Sequence, residues 1–201
     1  MILSEIRSMR WTDFFMHALL DPRALYRMVG RNEPRGFLLS FAVPAAVAVV
    51  DIITHSLFGR ETSFFYYKIT YGWILWFLLI FFRTVVAAAL MDMASQFFGY
   101  KGNIRELVIV LNFSLFPEVF ILPLAYIFKI FRFAPLFFYI LISMGLTVWS
   151  ALIAIQCISE MHSASIGRSA VIFLFPILLI GVTLILAFIL LAILGVGYFV
   201  G

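Results

Sequence analysis

Five long apolar runs alternate with short polar stretches along this chain, at about 36–58, 70–98, 104–128, 134–159 and 169–199. Each reaches the ~20 residues a helix needs to cross a hydrocarbon core of ~30 Å. The second and fifth runs exceed that length, which predicts tilt, a kink or an interfacial end. Pro44, Pro117, Pro123 and Pro176 fall inside runs, where a missing backbone donor is expected to kink or loosen the helix. Ahead of the runs, Ile2, Leu3, Ile6, Met9, Phe14, Ala18 and Leu19 recur at helical spacing, with Trp11 and Phe15 alongside. That spacing predicts an amphipathic helix over 2–20, lying in the membrane interface. Asp21-Pro22 then reads as a break, with Asp21 able to cap and Pro22 suited to a first helical turn. The expected fold is an all-α integral membrane protein, a bundle of five transmembrane helices preceded by an amphipathic interfacial N-terminal helix. Residues 1–35 form the cytosolic or interfacial segment and 36–201 the five-span domain.

Polar residues inside the runs are the candidates for function, because ionisable groups in hydrocarbon are costly and usually face a protein interior or a water-filled cavity. The second and third runs are joined by the short turn Gly99-Tyr-Lys-Gly-Asn103 and form a helical hairpin. Residues equidistant from that turn lie at one depth, which sets Arg83 level with Glu118. Asp51 of the first run lies 15 residues from the inner end of its helix, Arg83 15 and Glu118 14. At about 1.5 Å per residue all three sit ~21–23 Å from the inner edge. Two readings follow. Arg83 bridges the two carboxylates with its planar fork, or it snorkels past Trp76 while the acids face water. Asp92, Gln96 and Asn112 form a second, shallower polar level. Asp51 and His55, four residues apart, share a helix face and read either as an outward-facing proton or metal pair or as a solvated helix end.

Composition agrees with a membrane protein: 65% of the 201 residues are hydrophobic and 12% charged, where soluble domains carry roughly a quarter charged. One cysteine, Cys157, excludes a disulfide within one chain and a cysteine metal cluster; inside an apolar run it reads as a small packing residue. The 14 basic residues are unevenly placed. Arg7, Arg10, Arg23 and Arg27, with Trp11, are placed to meet anionic headgroups. With the N-terminus inside, the inner segments hold nine basic residues and the outer segments four. The positive-inside rule therefore predicts a cytosolic N-terminus and an external C-terminus. No signal peptide is visible at the start. Asn103 three residues before Glu106, and Ser165 before Arg168, resemble helix-start chemistry. No phosphate loop, nucleophile elbow, zinc-protease motif or dinucleotide fingerprint occurs. His17, His55 and His162 are spread over different segments, so neither a cofactor nor a metal is expected. Basic residues sitting where topology wants them give no support to nucleic-acid binding.

Three stretches together resemble a known family. D-P-R-A-L-Y-R precedes the first span. GYKGNIRELVIVLNFSLFP carries a glycine turn, an Arg-Glu-Leu run and a downstream proline. ISEMHSASIGRSAVIFLFP places a histidine and small residues before an arginine and the last apolar run. This pattern, over about residues 15–195, resembles the Ypt-interacting-protein (Yip) domain family. The resemblance implies five transmembrane helices and a cytosolic N-terminus, and it supplies no enzymatic residues. Eukaryotic members contact small GTPases through an added cytosolic region. The 35 residues before the first span leave no room for a folded domain, which counts against GTPase binding, and the small size resembles that of a prokaryotic member, expected in a cytoplasmic (inner) membrane. The expected role is that of a non-enzymatic scaffold or accessory subunit of a membrane complex of trafficking or transport type, with the lipid bilayer and other integral membrane proteins, or a second copy, as partners. The alternative is a small transporter or a lipid- or ion-translocating protein that uses the Asp51, Arg83 and Glu118 charges.

Overall fold

The computed structural model describes residues 11–30, 37–58, 71–132 and 134–200, and in these the chain is helical without a strand. Five helices are long and apolar enough to cross a membrane: Phe37–Leu57, Gly72–Phe97, Ile104–Phe131, Leu136–His162 and Ile166–Ala192. They agree with the hydropathy runs to within a few residues. Two short helices precede them, α1 (Trp11–Leu20) and α2 (Pro22–Gly30). Arg7 and Arg10, and the side chain of Trp11, lie outside the described residues, as does the start of the expected 2–20 helix.

The prolines act where backbone accounting says they should. In the first span, Pro44 offers no N–H to the Ser40 carbonyl, and the helix is interrupted at Phe41, between Phe37–Ser40 and Ala42–Phe58. In the third span, Pro117 lies in a 3-10 segment, Phe116–Phe120, that separates Ile104–Ser114 from Ile121–Phe131. Pro123 falls in the first turn of that second piece, where no intrahelical N–H is required. The fifth helix runs through Pro176. Asp21 caps α2 by accepting from the Ala24 N–H at 3.1 Å, and Asn103 caps the third span by accepting from the Glu106 N–H at 3.3 Å.

The third span is the hub, with 61% of its apolar window buried, against 6% for the fifth. It packs against the first, second and fourth spans; the fifth touches the second and fourth. Small buried residues, Ala88, Ala94, Ala154 and Cys157, let the second to fifth spans approach closely around Leu107, Leu111, Ile158 and Ile172. We call the end that carries the 99–103 turn the turn end.

The N-terminal helices are docked, which a one-faced apolar pattern does not distinguish from lying in lipid. Ala18 of α1 and Leu25 of α2 are buried with Val47, Ile80, Ile109 and Phe113, and α1 touches the 3-10 segment of the third span. On α2, Arg23 and Arg27 stay exposed while Pro22 and Leu25 are buried. The Pro22 carbonyl accepts from Cys157 Sγ at 3.1 Å, Arg27 pairs with Glu160 at 3.1 Å, and the Tyr26 hydroxyl donates to Glu106 at 2.9 Å. Burial first, and the Glu106 carboxylate second, hold the Tyr26 phenol above its ordinary range.

Candidate functional site

The break in the third span opens a polar cavity. Its volume is about 130 Å³, and it is lined by Asp51 and His55 of the first span, Glu118 and Ile121 of the third, and Tyr139, Ser143, Leu146 and Thr147 of the fourth. Tyr139, Ser143 and Thr147 follow one another at four-residue intervals, so one helix face presents three hydroxyls. Glu118 stands in the 3-10 segment. Asp51 Oδ2 accepts from the Trp76 indole N–H at 3.0 Å. Neither Glu118 oxygen, nor Asp51 Oδ1, has a hydrogen-bond donor among the described residues. His55 and Tyr139 set their rings edge to face, 6.1 Å apart.

Arg83 is exposed and does not line the cavity. Among the described residues no ion pair within 4 Å joins it to Asp51 or Glu118. The Trp76–Asp51 bond explains the separation. Trp76 precedes Arg83 by two turns, so Asp51 sits ~10 Å farther along the second helix than Arg83. Counting residues from helix ends assumes that all helices begin in one plane, and the second and first do not.

The second polar level divides in two. Asp92 Oδ2 accepts from Gln96 Nε2 at 2.8 Å, one turn away on the same helix. Asn112 lies elsewhere: fully buried, it donates through Nδ2 to Ser40 Oγ at 2.9 Å, tying the third span to the first. Among the described residues Asp92 Oδ1 and Asn112 Oδ1 are buried without a partner. Beside Asp92 the turn end carries a third group. Ser95 Oγ donates to the Met91 carbonyl at 2.8 Å and lies 3.1 Å from His162 Nε2. The Tyr100 ring stacks on His162 with centroids 5.1 Å apart. Hydropathy gave no sign of these pairings. The hydroxyl stripe of the fourth span did carry a signal, the recurrence of Tyr, Ser and Thr every fourth residue in an apolar run.

Among the described residues no three His, Cys, Asp or Glu side chains are disposed to hold a metal. Chemically, the cavity offers two carboxylates, an imidazole and three hydroxyls in the membrane-spanning half opposite the turn end. The molecule is thus a polytopic helical membrane protein with a small acid-lined cavity at a helix break. A family model described as the Yip1 domain matches residues 16–189, and the chain belongs to that family. Neither the curated proteins nor the solved structures gave a match.

Proposed function

We propose that this Yip1-domain protein is a non-enzymatic accessory subunit or scaffold of a membrane complex of trafficking or transport type, seated in a prokaryotic cytoplasmic membrane with its N-terminus inside. The fifth span carries this reading. Its first turns are anchored through Ser169, Ile172 and Pro176, but from Ile177 to Leu191 its large apolar side chains are exposed. In lipid, helices associate through packing and interhelical hydrogen bonds, so a span with this little packing of its own is available to another membrane protein. A photo-crosslinker at Phe188 is expected to capture a different integral membrane protein at near-stoichiometric yield in native membranes. Crosslinks to lipid alone would remove the reading, and crosslinks to the same chain would make the partner a second copy.

The orientation rests on the nine-to-four distribution of basic residues. With the native Cys157 buried, a cysteine at Gly201 is expected to react with an impermeant maleimide from outside intact cells, and one at Lys101 only after permeabilisation. The opposite pattern would invert the topology. A second reading, a small ion- or solute-translocating protein, is favoured by the Asp51–Glu118 cavity.

A further inference from the structure

We propose that the cavity at the break of the third span binds one small monovalent cation, held by the Asp51 and Glu118 carboxylates and the hydroxyls of Tyr139, Ser143 and Thr147. The inference deepens the second reading by naming a ligand class, but binding does not require that the ion be moved.

Four observations lead to it. The first is size. A cavity of about 130 Å³ is well below the ~300–1,000 Å³ of sites for drug-sized ligands, and it suits an alkali ion, or ammonium, with part of its hydration shell.

The second is the donor set. Five oxygen-bearing side chains converge, and oxygen donors select hard cations over soft ones. His55, at the cavity edge against Tyr139, does not complete a set of transition-metal ligands with the acids.

The third is charge. Two acids, Asp51 and Glu118, face the cavity, and among the described residues no Lys or Arg side chain lines it, so the lining attracts a cation. Three of its five oxygen-bearing side chains are neutral hydroxyls, a low ligand charge that suits a monovalent ion over a divalent one.

The fourth is the backbone. Ion sites in membrane proteins recur where a spanning helix is discontinuous, because the interrupted turn turns carbonyl dipoles away from the helical ladder. The third span is interrupted at Phe116–Phe120, and Glu118 stands in that interruption. Pro123, which has no N–H, cannot supply an α-helical bond to the Val119 carbonyl one residue after Glu118. Among the described residues this carboxylate has no donor, and in such a place it is expensive unless something positive reaches it. Arg83 does not make that contact, and Trp76 satisfies one oxygen of Asp51 alone.

The test is thermal unfolding of the purified full chain in detergent, at constant ionic strength. Sodium, potassium or ammonium chloride replaces N-methyl-D-glucamine chloride stepwise. Binding to the folded state raises Tm in a saturable way, and a rise of roughly 3–8 °C is expected at saturation for a chain of this size. Glu118→Gln is expected to abolish the rise. The double variant Ser143→Ala/Thr147→Val, which leaves both carboxylates in place, is expected to weaken apparent affinity at least tenfold. Glu106→Gln, at the turn end, is expected to leave the rise intact. If Glu118→Gln does not fold, the hydroxyl variant decides alone. A linear, unsaturable salt effect, an unchanged rise in the hydroxyl variant, or a rise with calcium or magnesium only would each overturn the proposal. Saturable binding without cation flux in liposomes of the pure protein would leave this site standing and remove the translocation reading.

Discussion

Gly102→Ala is expected to destabilise the bundle by about 1–3 kcal/mol, the usual range for forcing extra atoms into a packed site. A Cβ on Gly102 would collide with Asp92 Oδ1 and stand 2.7 Å from Oδ2 and 2.8 Å from the carboxyl carbon. The whole carboxyl group would therefore have to leave its place, whereas rotating one oxygen away would not suffice. Asp92 has little freedom to do so, being buried in the second span and bonded to Gln96. The glycine is required by space here and not by conformation. Gly99, three residues earlier in the same turn, is the opposite case: its φ of +79° is the left-handed region, but a Cβ there meets nothing. Alanine at Gly99 is expected to cost about 1–2 kcal/mol through backbone strain alone, independently of Asp92. The distinction is measurable by a double-mutant cycle on thermal or denaturant unfolding. In an Asp92→Ala background, Gly102→Ala should lose most of its cost, giving a coupling of more than about 1 kcal/mol, while Gly99→Ala should keep its cost in full. No coupling between positions 92 and 102 would show that the turn accommodates a side chain by moving, and that the close approach has no energetic consequence.

The contrast between these two glycines also shows what could be read from the sequence. A Gly-x-x-Gly turn between two apolar runs announces a hairpin, and the spans follow from hydropathy because hydrocarbon forces helices to satisfy their own backbones. Proline positions anticipated the interruptions at Phe41 and at Phe116–Phe120, since a missing N–H is a local property. The Asn103 cap and the Asp92–Gln96 bond are local too, at three and four residues' separation. Legibility ended where partners are far apart in the chain. Ser40 with Asn112, Tyr26 with Glu106 and Arg27 with Glu160 depend on the relative rotation and height of different helices. Nothing in a single sequence fixes these. Depth counting gave Asp51 and Glu118 as level, and both line the cavity; it also gave Arg83 as level with them, where the Trp76–Asp51 bond sets Asp51 two turns away. For α1 and α2 the ambiguity is physical: one apolar face answers equally to lipid and to the packed spans it meets at Ala18 and Leu25.

Arg83→Glu is expected to destabilise the protein by about 2–4 kcal/mol, within the range for breaking charge compensation in a low-dielectric setting. Arg83 makes no direct ion pair with Glu118 or Asp51 among the described residues, yet it stands on the same helix as Trp76, which holds Asp51. Reversing the sign of Arg83 replaces one positive and two acidic groups by three acidic ones, Glu118 among them, which has no donor among the described residues. Screening does little in hydrocarbon, because the ions that damp surface interactions are excluded from it. Arg83→Leu should cost less, since it removes compensation without adding repulsion, and Arg83 stands beside the exposed apolar side chains of Leu79 and Phe82, where an apolar residue fits. The double exchange Arg83→Glu with Glu118→Arg restores the charge pattern but moves the positive group into the cavity. It should recover part of the loss, because the electrostatic sum returns while the cavity is filled by a larger side chain. Unfolding midpoints for the two single variants and the double variant give the coupling directly. If Arg83→Leu is neutral and the double exchange shows no coupling, Arg83 is a lipid-facing side chain whose charge leaves by snorkelling, and Glu118 faces its cavity uncompensated.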